Sequence, residues 1–95
     1  MDKILSNLGL CARARGLVDG TDIVCEGLAH NKIKLIFLAN DASENTKKKI
    51  CNKANFYKTE VIESYSSEEL SNAIGKVNRM VVGITNESFL KILKK

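Results

Sequence analysis

Apolar residues recur at helical spacing from the start of the chain. Ile4, Leu5, Leu8, Cys11 and Ala12 share one side of a helix predicted over about 2–14. Gly9 weakens that helix slightly, and Arg13 and Arg15 sit at its exit, where cations suit the helix dipole. Leu17-Val18 predicts a very short edge strand. A second helix is expected over about 20–30, capped by Asp19 or Thr21, with Val24, Cys25 and Leu28 inward. The run 33–39 is almost continuously apolar, which predicts a strand covered on both faces.

Asp41, followed by Glu44 three residues on, reads as the start of a third helix reaching about Phe56. Ile50, Cys51 and Ala54 face inward, and Lys47, Lys48, Lys49 and Lys53 spread over the remaining surface. Residues 60–63 form a short strand. Ser66 and Glu69 make a capping box opening a short helix with Leu70, Ala73 and Ile74 inward and Gly75 as C-terminal cap. Residues 79–84 form a second buried strand. A last helix starts at Thr85 or Asn86, buries Phe89, Ile92 and Leu93, and ends at Lys94 and Lys95. Helices alternating with strands predict an α/β chain. Two continuously apolar strands need cover on both faces, so the expected fold is a three-layer α/β/α sandwich around a small mixed sheet of about four strands.

Composition bounds the picture without changing it. Ninety-five residues, 44% hydrophobic and 27% charged, make one globular domain spanning residues 1–95. There is no proline, repeat or low-complexity stretch to mark a boundary. No apolar run approaches the roughly 18 residues of a membrane span, and the first helix lacks the long apolar centre of a secretory signal. The expected location is the cytoplasm, with no membrane partner.

Charge adds a direction. The net charge is +4, with seven lysines over residues 32–58 against Asp41 and Glu44, then four glutamates and no base over 60–69. A basic middle beside an acidic stretch implies one positive face, and phosphate backbones are the common partner of such a face. The plain alternative is a solvated helix surface.

Catalytic chemistry finds little support. His30 stands alone at a helix end, and Glu68-Glu69 are explained by the capping box. Cys11, Cys25 and Cys51 are widely spaced, with no CxxC or Cys/His cluster. They read as small buried hydrophobes rather than ligands or nucleophiles. We expect no enzyme, metal or cofactor.

Two glycine-bearing turns offer binding chemistry instead. One spans residues 16–21, where backbone N–H groups at a helix start favour negative partners. The other spans 75–79. There Lys76 and Arg79 suit phosphates, Val77 suits an unstacked base, and Asn78 supplies hydrogen bonds.

The stretch GLCARARG at 9–16, DASENTKKK at 41–49 and Ile74-Gly75-Lys76 before the last strand carry a resemblance. Over nearly the whole chain, the sequence resembles YlxQ-type bacterial members of the ribosomal-protein L7Ae/L30e family. The resemblance implies an α/β/α sandwich that binds RNA, typically kink-turns. It implies docking through the start of the second helix, residues 20–26, and the loop 76–79. Gly20 and Thr21 match the kink-turn binders' pattern. Asp22 stands where they place asparagine, and it accepts hydrogen bonds but cannot donate them. Ile23 replaces a polar residue, and Glu26 replaces a lysine and repels phosphate. By chain proximity, Arg13, Arg15, Lys32 and Lys34 are expected to compensate.

The candidate RNA-binding residues are thus Arg13, Arg15, Gly20, Thr21, Asp22, Lys32, Lys34, Lys76, Val77, Asn78 and Arg79. The expected function is non-catalytic binding of structured RNA by a monomer, with the ribosome or other translation proteins as further partners. The alternative is a protein-interaction module that keeps the fold and has lost kink-turn recognition.

Overall fold

The computed structural model describes residues 2–93; Lys94 and Lys95, expected to end the last helix, lie outside them. Helix α1 (Lys3–Arg13) opens on Asp2, whose side chain accepts the Ile4 N–H at 2.7 Å. Strand β1 (Leu17–Asp19) leads into α2 (Thr21–Ala29) and then β2 (Leu35–Leu38). Helix α3 (Glu44–Phe56), strand β3 (Val61–Ile62), α4 (Ser67–Ile74) and β4 (Val81–Ile84) follow. A 3-10 turn (Glu87–Phe89) runs into α5 (Leu90–Leu93), so the last helix is wound more tightly at its start than its apolar spacing implied.

The four strands form one sheet in the order β1-β4-β2-β3. β4 is antiparallel to both β1 and β2, while β2 and β3 are parallel. Every residue of β2 and β4 is buried, as continuous apolar runs require when helices cover both faces. Helices α2 and α3 pack together on one side, and α1 packs on α4 and α5 on the other. Phe37, Leu8, Leu28 and Ile50 are fully buried in one continuous core. Among the described residues no helix is long and apolar enough to cross a membrane.

Two close approaches hold the layers at their spacing. A Cβ on Gly83 would lie 2.9 Å from Ile33 Cδ1, and a Cβ on Gly27 would lie 2.7 Å from the same methyl. Ile33 is therefore wedged between α2 and β4, where only glycine leaves it room.

Two helix starts differ from expectation. The cap of α2 is Gly20, at φ +100 and with no side-chain hydrogen bond, rather than Asp19 or Thr21. Asp19 is the last residue of β1, engaged elsewhere, and Thr21 is already helical. The cap of α3 is Ser43, whose hydroxyl accepts the Thr46 N–H at 3.2 Å. Asp41 instead accepts the Ser67 N–H and hydroxyl, both at 2.8 Å, and so ties the β2–α3 loop to the start of α4. Those bonds hold its carboxyl below the ordinary carboxylate value, the backbone N–H contributing most. The capping box of Ser66 and Glu69 and the left-handed Gly75 match expectation.

Cys11 and Cys25 are buried and Cys51 is half-buried. Burial pushes the Cys11 thiol up to about 11, which disfavours the thiolate and leaves a small hydrophobe.

Candidate nucleic-acid interface

The sheet brings the Gly20 end of the first glycine-bearing segment to the end of the second. Asp19 pairs with Val82 across the β1–β4 ladder, and the Gly20 N–H donates to the Val81 carbonyl at 2.9 Å. The entry to β4 therefore lies against the turn that starts α2. Gly20 adopts a backbone conformation that side chains avoid, and no heavy atom lies within 4 Å of where a Cβ would sit. The turn is thus both glycine-specific and open to approach. Thr21 and Asp22 begin the helix on that open side, with Asp22 93% exposed.

An ion pair joins the two segments. Arg79 Nε lies 3.0 Å from Asp19 Oδ1. The Nε atom is screened from solvent and makes no aligned hydrogen bond among the described residues, so its partner is the carboxylate's charge. The rest of the guanidinium belongs to a side chain that is still 40% exposed. Asp19 thus holds Arg79 at the rim without covering it.

The loop between α4 and β4 is anchored at both ends. Gly75 closes α4 in the left-handed conformation, at φ +73. The Lys76 N–H donates to the Ser71 carbonyl at 2.9 Å, and the Arg79 N–H donates to Ser71 Oγ at 2.8 Å. Ser71 is the one buried polar side chain among the described residues. Asn78 takes φ +55, a left-handed position that asparagine tolerates. Between these anchors Lys76, Val77 and Asn78 stand exposed, Val77 at 75%. An apolar side chain held open beside two cations suits an unstacked base next to phosphates. Ser71 was not among the sequence candidates; a serine within the apolar stripe of α4 was its only signal.

The cations from the chain's first third divide. Arg13 lines a groove of about 350 Å³ with Gly9, Asn72 and Gly75, next to the start of the loop. Arg15 does not join it: the following Gly16 carbonyl accepts the Thr85 and Asn86 N–H groups, at the opposite end of β4. Lys34 lies at that end too, its N–H donating to the Ile84 carbonyl at 2.7 Å and its Nζ lying 3.4 Å from Glu87. Three residue steps from Val81 to Ile84 make about 10 Å along a strand. Lys32 lines a separate groove with Val18, Ile23, Glu26 and His30. Lys34 and the backbone that follows Arg15 therefore lie at the end of β4 away from the Gly20 turn, whereas the groove that Lys32 lines reaches Ile23 and Glu26 of α2.

A further cation meets the start of α2 directly. Lys49, on α3, places its Nζ 3.2 Å from Asp22 Oδ1. It sits where the start of α2 meets α3, beside the exposed carboxylate. No local pattern in the sequence pairs residues 22 and 49.

Comparison with known proteins agrees with the architecture. The family model of the ribosomal protein L7Ae/L30e/S12e/Gadd45 family matches residues 2–94. The chain is 39% identical over 93 residues to the RNA-binding protein YlxQ of Enterococcus faecium, covering 98% of this chain and 89% of that one. It is 42% identical over 82 residues to the RNA-binding protein YlxQ of Bacillus subtilis (strain 168), covering 86% of this chain and 82% of that one. Among solved structures, a protein of unknown function from Bacillus halodurans C superposes with a TM-score of 0.92 at 33% identity, with both chains fully covered. The Giardia lamblia 15.5kD RNA binding protein superposes at 0.82 with 14% identity, over 97% of this chain and 79% of that one, a likeness of fold alone.

Proposed function

The chain belongs to the ribosomal protein L7Ae/L30e/S12e/Gadd45 family, and from that premise we propose that it is a non-catalytic RNA-binding protein of the cytoplasm, acting as one domain and a monomer. Its ligand is structured RNA of the kink-turn kind, ribosomal RNA included. Two relatives that match most of its length bear the name RNA-binding protein, which favours RNA over a protein-interaction role.

The observation that carries this reading is the junction of the Gly20 turn with the 76–79 loop, fastened by Arg79 and Asp19. The roles follow from the chemistry at each position. Gly20 and Thr21 bring open backbone at a helix start to the RNA. Asp22 accepts hydrogen bonds from base N–H groups. Val77 covers the face of an unstacked base and Asn78 hydrogen-bonds its edge. Lys76 and Arg79 meet phosphates, with Arg13 flanking the loop. In this reading Arg15, Lys32 and Lys34 serve as general positive charge rather than contacts.

Mobility shifts of the purified protein with a kink-turn RNA, its unkinked mutant and a plain duplex test the proposal. Tighter binding of the kink-turn than of either control is expected. Equal affinity for all three defeats structural specificity, and no binding at low salt defeats RNA binding altogether.

A further inference from the structure

We propose that the outer face of α3 is a second RNA surface, a track for a single-stranded segment leaving the site at the start of α2. This rests on the RNA-binding reading above and extends it to a part of the ligand that the Gly20 turn and the 76–79 loop do not reach.

The face is set by helical spacing. Asn45, Lys48, Lys49, Asn52, Lys53 and Phe56 fall at i, i+3, i+4, i+7, i+8 and i+11 along α3, and all six are exposed. The opposite side buries Ile50 and Ala54. A solubilising helix surface normally mixes both signs of charge, but this stripe holds three lysines, two carboxamides and an aromatic ring, and no acid. Glu44 precedes it in the first turn, and Asp22 meets it from α2.

The lysines are available. Lys49 is paired with Asp22 at 3.2 Å, whereas Lys48 and Lys53 make no ion pair among the described residues. Lys49 makes the stripe continuous with the start of α2. From there the helix rises about 1.5 Å per residue, so Phe56 lies roughly 10 Å further on. Phe56 is 77% exposed, and its ring stands at 85° to that of Tyr57 with centroids 4.9 Å apart. Ordering an aromatic at the end of a lysine track, with its ring still open, is the arrangement that binds single strands. Cations follow the backbone and a base stacks on the ring, whatever its identity.

A kink-turn RNA with and without a single-stranded oligouridine tail provides the test. The full-length protein is titrated with both, alongside the K48Q/K53Q and F56S variants. All three substitutions are on exposed positions, and circular dichroism checks that the fold is kept. The wild type is expected to bind the tailed RNA more tightly, with a log–log salt slope steeper by about 0.7 for each lysine engaged. F56S is expected to lose about fivefold or more of the tail's gain. K48Q/K53Q is expected to lose the extra salt dependence, and both variants to bind blunt RNA as the wild type does. Arg79→Ala, by contrast, weakens both RNAs. Equal wild-type affinity for tailed and blunt RNA overturns the proposal, as does an undiminished tail gain in both variants. Absence of binding to either RNA overturns the underlying reading and this one with it.

Discussion

Arg79 Nε sits 3.0 Å from Asp19 Oδ1, across the seam between the turn that starts α2 and the loop that enters β4. The pair joins residues 60 positions apart in the chain. It fixes the direction of a guanidinium that still reaches solvent. If Asp19 acts as a positioning group, Asp19→Asn weakens RNA binding although it removes a negative charge from the interface. A simple electrostatic surface behaves oppositely, binding RNA more tightly after that substitution. Titrations of wild type, Asp19→Asn and Arg79→Ala with one kink-turn RNA distinguish the two. Arg79→Ala is expected to cost about 1–3 kcal/mol if the guanidinium reads a base edge. Loss of a single phosphate contact instead shows as a salt slope lower by about 1.

Ser71 holds both ends of the same loop. Ser71→Ala leaves the Arg79 N–H without the acceptor it has at 2.8 Å, in a part-buried place. An unsatisfied buried donor costs about 1–3 kcal/mol. Urea unfolding is expected to show a lower midpoint of that order, and amide exchange at Arg79 to rise. A variant with wild-type stability and unchanged exchange contradicts this role.

Ile33 predicts a rescue. Gly83→Ala drives a methyl into Ile33 Cδ1, which Gly27 already confines from the other side. Overpacking of this kind costs about 1–3 kcal/mol. Ile33→Val removes the clashing Cδ1 and is expected to recover much of the loss in the double variant. The thermal midpoints of the two single variants and the double variant check it, and strict additivity of their losses opposes it.

Asp41 gives a pH dependence. Its folded value lies below the ordinary carboxylate value because the Ser67 N–H and hydroxyl donate to the charged form. Such a group stabilises the fold fully above its unfolded value, about 3.9, and that contribution is lost as the pH falls through the lower folded value. Asp41→Asn is therefore expected to lower stability at neutral pH and to reduce its decline below about pH 4. Denaturation curves across pH 2–7 measure both effects, and parallel pH profiles for the two proteins argue against them.

The sequence made the architecture readable because helical and strand periods dominate it. The uninterrupted apolar runs of β2 and β4 could only be strands covered on both sides, and the structure buries every residue of both. The 66–69 capping box was local, and so was legible. What failed was tertiary. Asp41 carries the side chain of a helix cap, yet its carboxylate is taken by Ser67, 26 positions away. Gly20 caps α2 through its backbone conformation alone, which no side-chain preference announces. For the candidate site, the two turns were visible from glycine and charge. Proximity in the chain misled for Lys34, because a nine-residue helix and the turn after it carry its backbone to the Ile84 end of β4. Lys49 and Ser71 were missed for the converse reason: their partners, Asp22 and Arg79, are brought to them by folding.

In the proposed function, RNA meets the chain at the junction of the Gly20 turn and the 76–79 loop. Photocrosslinking of a bound kink-turn RNA, with the attachment sites mapped by mass spectrometry of the digested protein, tests it most directly. Crosslinked peptides containing residues 20–22 and 76–79 are expected. Crosslinks confined to the Lys34 end of the sheet would contradict that placement.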